Sequence, residues 1–200
     1  MFNDLFPKLT LAGLFLAASI PGFSQVAPSA TQGGLPIDVG AGFSNYDIDF
    51  SNLRLSGATV WVDWNFYEHP ALLHGFGLEV EGRDLSLSKP AGYAGNLRQD
   101  TATGGVIYRW HDFHHVHPYG KFLLGYGKME FAGESNPNYT NDSRTIFAPG
   151  IGLEYQAYRR VLVRADYEYQ FWPHLFGPNA LDPEGITIGA SYNFRGSNSR

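Results

Sequence analysis

From Pro36 to Phe194 the sequence alternates with a period of two, in eight runs separated by clusters of Gly, Pro, Asn and Asp. No 3.6-residue period competes with it, so the chain has strands and turns to build with and little else. The seventh run is the clearest: Val161, Val163, Ala165, Tyr167, Tyr169 and Phe171 alternate with Leu162, Arg164, Asp166, Glu168 and Gln170. Successive side chains of a strand point to opposite faces, so each run has one apolar side and one small or ionisable side. The first run sets Ile37, Val39, Ala41 and Phe43 against Asp38, Gly40, Gly42 and Ser44, and the eighth sets Ile186, Ile188, Ala190, Tyr192 and Phe194 against Thr187, Gly189, Ser191 and Asn193.

Which side meets solvent decides the fold. In water the charged sides would point out and the apolar sides would share a core, giving a sandwich or a soluble ligand-binding barrel; in lipid the facing is inverted. Three features favour lipid. Charged residues are only 16% of a chain that is 16% aromatic and holds 24 glycines, too few for an ordinary soluble surface. Aromatics gather at run ends, at Tyr46, Phe50, Trp64, Phe66, Trp110, Tyr155, Tyr169, Phe171, Tyr192 and Phe194, where rings at the two lipid–water boundaries belong. Glycines repeat on the polar side, which suits the narrow interior of a barrel of about eight strands. The expected fold is all-β: an eight-stranded antiparallel up-and-down transmembrane β-barrel, monomeric in outer-membrane lipid.

The amino terminus agrees. Met1 to Ser24 has Lys8 ahead of the apolar run Leu9 to Ile20 and a Pro21-Gly22 breaker, the layout of a signal peptide; that run is too short to span a bilayer as a helix. The reading is a signal peptide over 1–24, a flexible segment over 25–34, the barrel over 35–194 and a tail over 195–200. The absence of cysteine removes disulfides, thiolate metal sites and a lipoprotein anchor. A net charge of -5 with no basic run excludes nucleic acid as a partner.

Local irregularities are expected where the pattern strains. The third run changes phase at Leu85 and Leu87, which a bulge near Arg83-Asp84 would explain. Pro149 removes a ladder donor from the sixth run, and Trp61 falls on the small-residue side, oversized for a narrow lumen. With the amino terminus in the periplasm, the long connections Asp84 to Gln99, Ala132 to Arg144 and Pro173 to Glu184 face outside. Gln156 to Arg160 is a short inner turn, and 67–74 and 111–117 are longer ones.

Pro118 to Gly127, Gly150 to Tyr155 and Val163 to Tyr169, with the closing strand Ile186 to Phe194, resemble successive strands of the OmpA-like outer-membrane β-barrel family. The resemblance implies that Phe194 and Tyr192 form the terminal signal read by the barrel-assembly machinery, from which this chain departs by adding Arg195 to Arg200. It also implies a lumen plugged by an ionic network of Asp38, Asp63, Glu79, Glu81, Arg83, Arg109, Lys121, Glu154, Arg164, Asp166 and Glu168, since charges away from water need partners.

Acids outnumber bases on that face, so a narrow cation-preferring channel is the alternative to a plug. Glu79 with Glu81, or Asp166 with Glu168, could in principle perform acid–base chemistry, but strand alternation alone produces that spacing. His174 has no adjacent serine in a recognisable motif, so no catalytic site, enzyme activity or cofactor is expected. His111, His114, His115 and His117 crowd one inner turn, with His69 and His74 in the preceding one, and could bind zinc, copper or nickel; solvated turn residues explain them more simply. Outer-loop residues Tyr93, Asn96, Asn136, Asn138, Tyr139 and His174 suit contact with an extracellular protein or glycan. The expected role is structural or surface-interacting, by adhesion or shielding.

Overall fold

A computed structural model describes residues 36–49, 53–66, 75–88, 95–110, 114–131, 141–175 and 180–194. The signal peptide, the 25–34 segment, the 195–200 tail, Phe50, His69, His74, His111 and most of the outer-loop tips lie outside these residues. The strands are β1 (Ile37–Asp47), β2 (Arg54–Asn65), β3 (Phe76–Leu87), β4 (Leu97–Arg109), β5 (Val116–Phe131), β6 (Asn141–Tyr158), β7 (Val161–Tyr169) and β8 (Glu184–Asn193). Every neighbouring pair is antiparallel and β8 returns to β1, closing the barrel.

Sharply tilted strands close it. The rungs Pro36–Asn65–Gly77–Ile107–Lys121–Gly150–Glu168–Gly185 lead once around and return to β1 at Tyr46, ten residues beyond Pro36. Such a stagger over eight strands goes with a tilt of about 40° and an interior that side chains just fill.

The facing is the one lipid requires. Val39, Val60, Val62, Val80, Leu124, Ile151 and Ile188 point outward and are exposed, while Asp38, Asp63, Glu79, Glu154 and Arg164 are buried inside. This inverts what a soluble ligand-binding barrel needs, and the single closed sheet rules out a sandwich. Around the periplasmic end run Trp64, Phe66, Phe76, Tyr108, Trp110, Tyr155, Tyr192 and Phe194, with Phe76–Tyr108 and Tyr192–Phe194 ring centroids 4.8 and 5.1 Å apart. Tyr126, Tyr169 and Phe171 face outward near the other boundary. Five outward positions on β8 and its end, Ile186 to Phe194, define a belt roughly 20–25 Å high, at about 3.3 Å per residue and 40° tilt.

Above the belt the two faces exchange polarity. Asp84, Arg98, Asp100, Lys128, Glu130 and Glu184 now point out, while Tyr46, Ile48, Leu55, Leu85, Leu97, Met129, Phe131, Ile146, Trp172 and Leu175 fill the interior. The barrel therefore has a lower storey built for lipid and an upper storey built for water. A nitroxide at Val80 should collide with dissolved oxygen in the bilayer, and one at Asp84 with a water-soluble nickel chelate. Equal nickel access at both sites would refute the boundary.

This exchange corrects three expectations. β3 has no bulge at Arg83-Asp84: its pairing with β2 runs without a break from Asn65↔Gly77 to Ser56↔Ser86, and Leu85 simply points into the upper core. Tyr46 is not an interface aromatic; it is fully buried, with the Arg83 guanidinium 4.2 Å from its ring centroid. The outer connections are shorter than Asp84–Gln99 and Ala132–Arg144, because β3 continues to Leu87, β4 begins at Leu97, and β5 and β6 together leave only residues 132–140 between them. At Pro149 the β6–β7 ladder is interrupted: it runs up to Gly150↔Glu168 and resumes, in the same register, only at the Phe147↔Phe171 bridge. The one register shift of this ladder lies elsewhere, between Gln156 and Tyr158.

Candidate functional site: the barrel lumen

Alternation places the ionisable residues of seven strands, β1 to β7, on the inner face, and the closed barrel brings them within reach of one another. At the periplasmic mouth Arg109, on β4, spans the lumen. Its Nε lies 2.7 Å from Glu154 Oε2, one terminal nitrogen lies 2.7 Å from Asp63 Oδ2, and the other donates to Asn65 Oδ1 at 2.6 Å. Asn65 in turn donates to Asp38 Oδ2 at 2.9 Å. Arg109 is the part of this layer that water reaches, its side chain being 12% exposed.

The next layer is organised by Arg164. It reaches Glu79 at 2.6 Å and Asp166 at 3.2 Å, donates to the Tyr119 hydroxyl at 2.5 Å, and has the Trp61 and Tyr119 rings 4.9 and 4.6 Å from its guanidinium carbon. The aromatic faces attract the cation where water is scarce. Trp61 fits because it lies across glycines: a Cβ on Gly40 would sit 2.2 Å from its ring, and one on Gly189 2.7 Å.

Higher still, the Lys121 ammonium stands among four carboxylates, 2.9 Å from Glu81 and Glu168 and 3.4 Å from Glu79 and Asp166. Arg83 joins the same two glutamates, at 2.5 Å to Glu81 and 2.9 Å to Glu168. Buried side chains thus link all eleven residues into layers that cross the lumen, with seven acids against four bases.

A band of amides joins this network to the apolar upper storey. Gln170 donates to Glu168 at 2.9 Å and accepts from Gln99 at 2.8 Å and from the Trp172 indole at 3.0 Å. Trp172 lies against Gly127, whose added Cβ would be 2.2 Å from its ring. Tyr119, Gln99 and the Ser44–Thr59–Thr187 hydroxyl cluster, with contacts of 2.5 and 2.7 Å, were not singled out from sequence. Their inward parity was the available signal.

The remaining candidates do not converge. His114 and His115 are exposed turn residues with φ of 49° and 70°, and His117 begins the inner face of β5. Among the described residues no three potential ligands are placed to hold a metal ion. Asn96 and His174 are exposed at the outer end; Tyr93, Asn136, Asn138 and Tyr139 lie outside the described residues.

A closed eight-stranded barrel with an apolar outer belt and an ionic interior defines an outer-membrane β-barrel protein, and the comparisons with known proteins agree. Residues 15–194 match the family model described as outer membrane protein beta-barrel domain, and the chain belongs to that family. It resides in the cell outer membrane. Solved structures of similar fold include Ail, the attachment invasion locus protein of Yersinia pestis, at TM-score 0.51 and 19% identity over 82% of this chain and 99% of that one. Neisserial surface protein A aligns at 0.57 and 11%, over 79% and 96% of the two chains. OprG of Pseudomonas aeruginosa aligns at 0.53 and 14%, over 82% and 98%. Ail has also been solved in complex with the heparin analogue sucrose octasulfate. A comparison with curated proteins finds no match.

Proposed function

We propose that the protein acts from its extracellular end, in a structural or surface-interaction role and not as an enzyme, with its lumen plugged. The observation that carries this reading is the double obstruction of the barrel: Arg109, Arg164, Lys121 and Arg83 tie carboxylates together at successive levels, and the apolar cluster around Trp172, Leu85 and Met129 fills the storey above. Ions would have to displace paired charges and then cross a dry core, two barriers of different kind. Function is left to the rim and loops, where barrels present variable chemistry on a rigid wall.

The outer rim favours a protein partner over a sulfated glycan of the kind seen with Ail. Its described acids, Asp47, Asp49, Asp84, Asp100, Glu130, Asp142, Asp182 and Glu184, exceed its bases, Arg54, Arg98, Lys128 and Arg144. Arg98, Lys128 and Arg144 are each already paired with a carboxylate on the same surface. Purified protein in planar bilayers should show no reproducible channel events, while cells displaying it should gain attachment to a protein-coated surface that heparin does not compete.

The acid excess within the lumen supports a second reading, a narrow cation-preferring channel. Steady single-channel events with a cation-selective reversal potential would replace the plug by that reading.

A further inference from the structure

Among the described residues the upper storey is not closed on every side. β5 and β6 are 16 and 18 residues long, whereas β7 and β8 are 9 and 10. Above the Phe147↔Phe171 bridge, Asn141–Ile146 of β6 pairs with β5 and has no ladder to β7 among the described residues. The cause is in the chain. Continuing the register of that bridge would set Pro173 opposite Thr145, and proline has no N–H to donate. His174 follows with φ of 57°.

Alternate residues of a strand send their backbone groups to opposite neighbours. Phe147 bonds to Phe171 on the β7 side, so Thr145, Ser143 and Asn141 present N–H and C=O on that same side. The Ser143 amide is held by its neighbour, the Asp142 carboxylate, at 2.8 Å, and Asp142 is braced by Arg144 at 2.8 Å. Charged side chains that guard an edge are the device by which sheets avoid indiscriminate pairing. Among the described residues, the Ser143 amide is guarded by this side-chain contact.

We propose that the Asn141–Ile146 edge of β6 is a docking site for an extended segment of a partner polypeptide, which adds to the barrel wall as a further strand. The occupant is not β7, whose ladder among the described residues ends at the Phe147↔Phe171 bridge, where Pro173 brings no N–H to continue it. It is not the same edge of a second copy in the same membrane: two β6 strands descending at about 40° to the membrane normal on symmetry-related barrels would cross at roughly 80° instead of lying side by side. Backbone bonds supply the attraction, and the alternate positions Asp142 and Arg144 favour a segment carrying a base and an acid two residues apart. The inference rests on the extracellular role proposed above and names the surface through which it works.

The test uses the full mature chain in lipid nanodiscs and an eight-residue fluorescent peptide of alternating threonine and valine, with one arginine and one glutamate two positions apart. Saturable binding is expected, with protection of the Thr145 amide from hydrogen exchange. Thr145→Pro, and a peptide N-methylated at alternate amides, should each weaken binding by about tenfold or more, whereas Thr145→Val should leave it unchanged. The methylated peptide keeps the test decisive if Thr145→Pro does not fold. Absence of binding, binding indifferent to N-methylation, or a Thr145 amide already protected through concentration-dependent self-association would each overturn the proposal. Peptide binding without cell attachment would remove the functional reading of the rim alone; attachment that survives Thr145→Pro, with no peptide binding, would remove this inference alone.

Discussion

Replacing Lys121 with methionine should destabilise the folded barrel by about 3–5 kcal/mol, the usual cost of removing one partner from a buried ionic cluster. The ammonium is the shared partner of Glu79, Glu81, Asp166 and Glu168, all buried. Without it those carboxylates face one another across a lumen in which Arg83 and Arg164 are already engaged. Urea titration in lipid vesicles, followed by tryptophan emission and by heat-modifiable migration, reads the loss. A double variant, Lys121→Met with Glu81→Gln, removes one stranded carboxylate along with the ammonium while Glu168 keeps Arg83 paired, and should recover much of it. If the single variant unfolds at the wild-type urea concentration, the network does not hold the barrel together. Neither variant should conduct, because the apolar cap above the network remains.

The second large effect concerns Trp61. Gly40→Val should prevent folding, since its Cβ alone would come within 2.2 Å of the indole carbons and the neighbouring Gly189 is pressed against the same ring. Trp61→Ala opens a cavity instead and should cost about 3–5 kcal/mol. Combining the two gives the valine the space that the indole vacates, so the double variant should be more stable than either single one. A double variant no better than Gly40→Val would mean that backbone crowding, and not the ring, sets the requirement for glycine there.

Strand alternation made the membrane storey legible. The parity of Asp38, Asp63, Glu79, Lys121, Arg164 and Glu168 was enough to place them all inside, because in a strand facing is a matter of counting. The failures share one cause. At Tyr46 and Leu85 facing inferred from hydrophobicity fails, because hydrophobicity reverses its meaning where a strand leaves lipid for water while parity continues unchanged. That is also why strand ends around Asp84, Gln99 and Arg144 read as loop. Trp61 looked oversized because its seat is made by Gly40 on β1 and Gly189 on β8, residues distant in sequence that only closure brings together. The cross-lumen partners Asn65, Gln99 and Tyr119 depend on the stagger between strands, which parity does not specify.

The reversal of polarity along the wall also makes the barrel's tolerance of its surroundings lopsided. A thinner bilayer would merely wet a few valines and isoleucines at the top of the apolar girdle. A thicker one would drag Asp84, Asp100 and Glu184 into hydrocarbon while nothing inside could turn round to meet them. The protein is thus matched to a thin hydrocarbon layer, and its rim rides at a fixed elevation above it however the loops change in length.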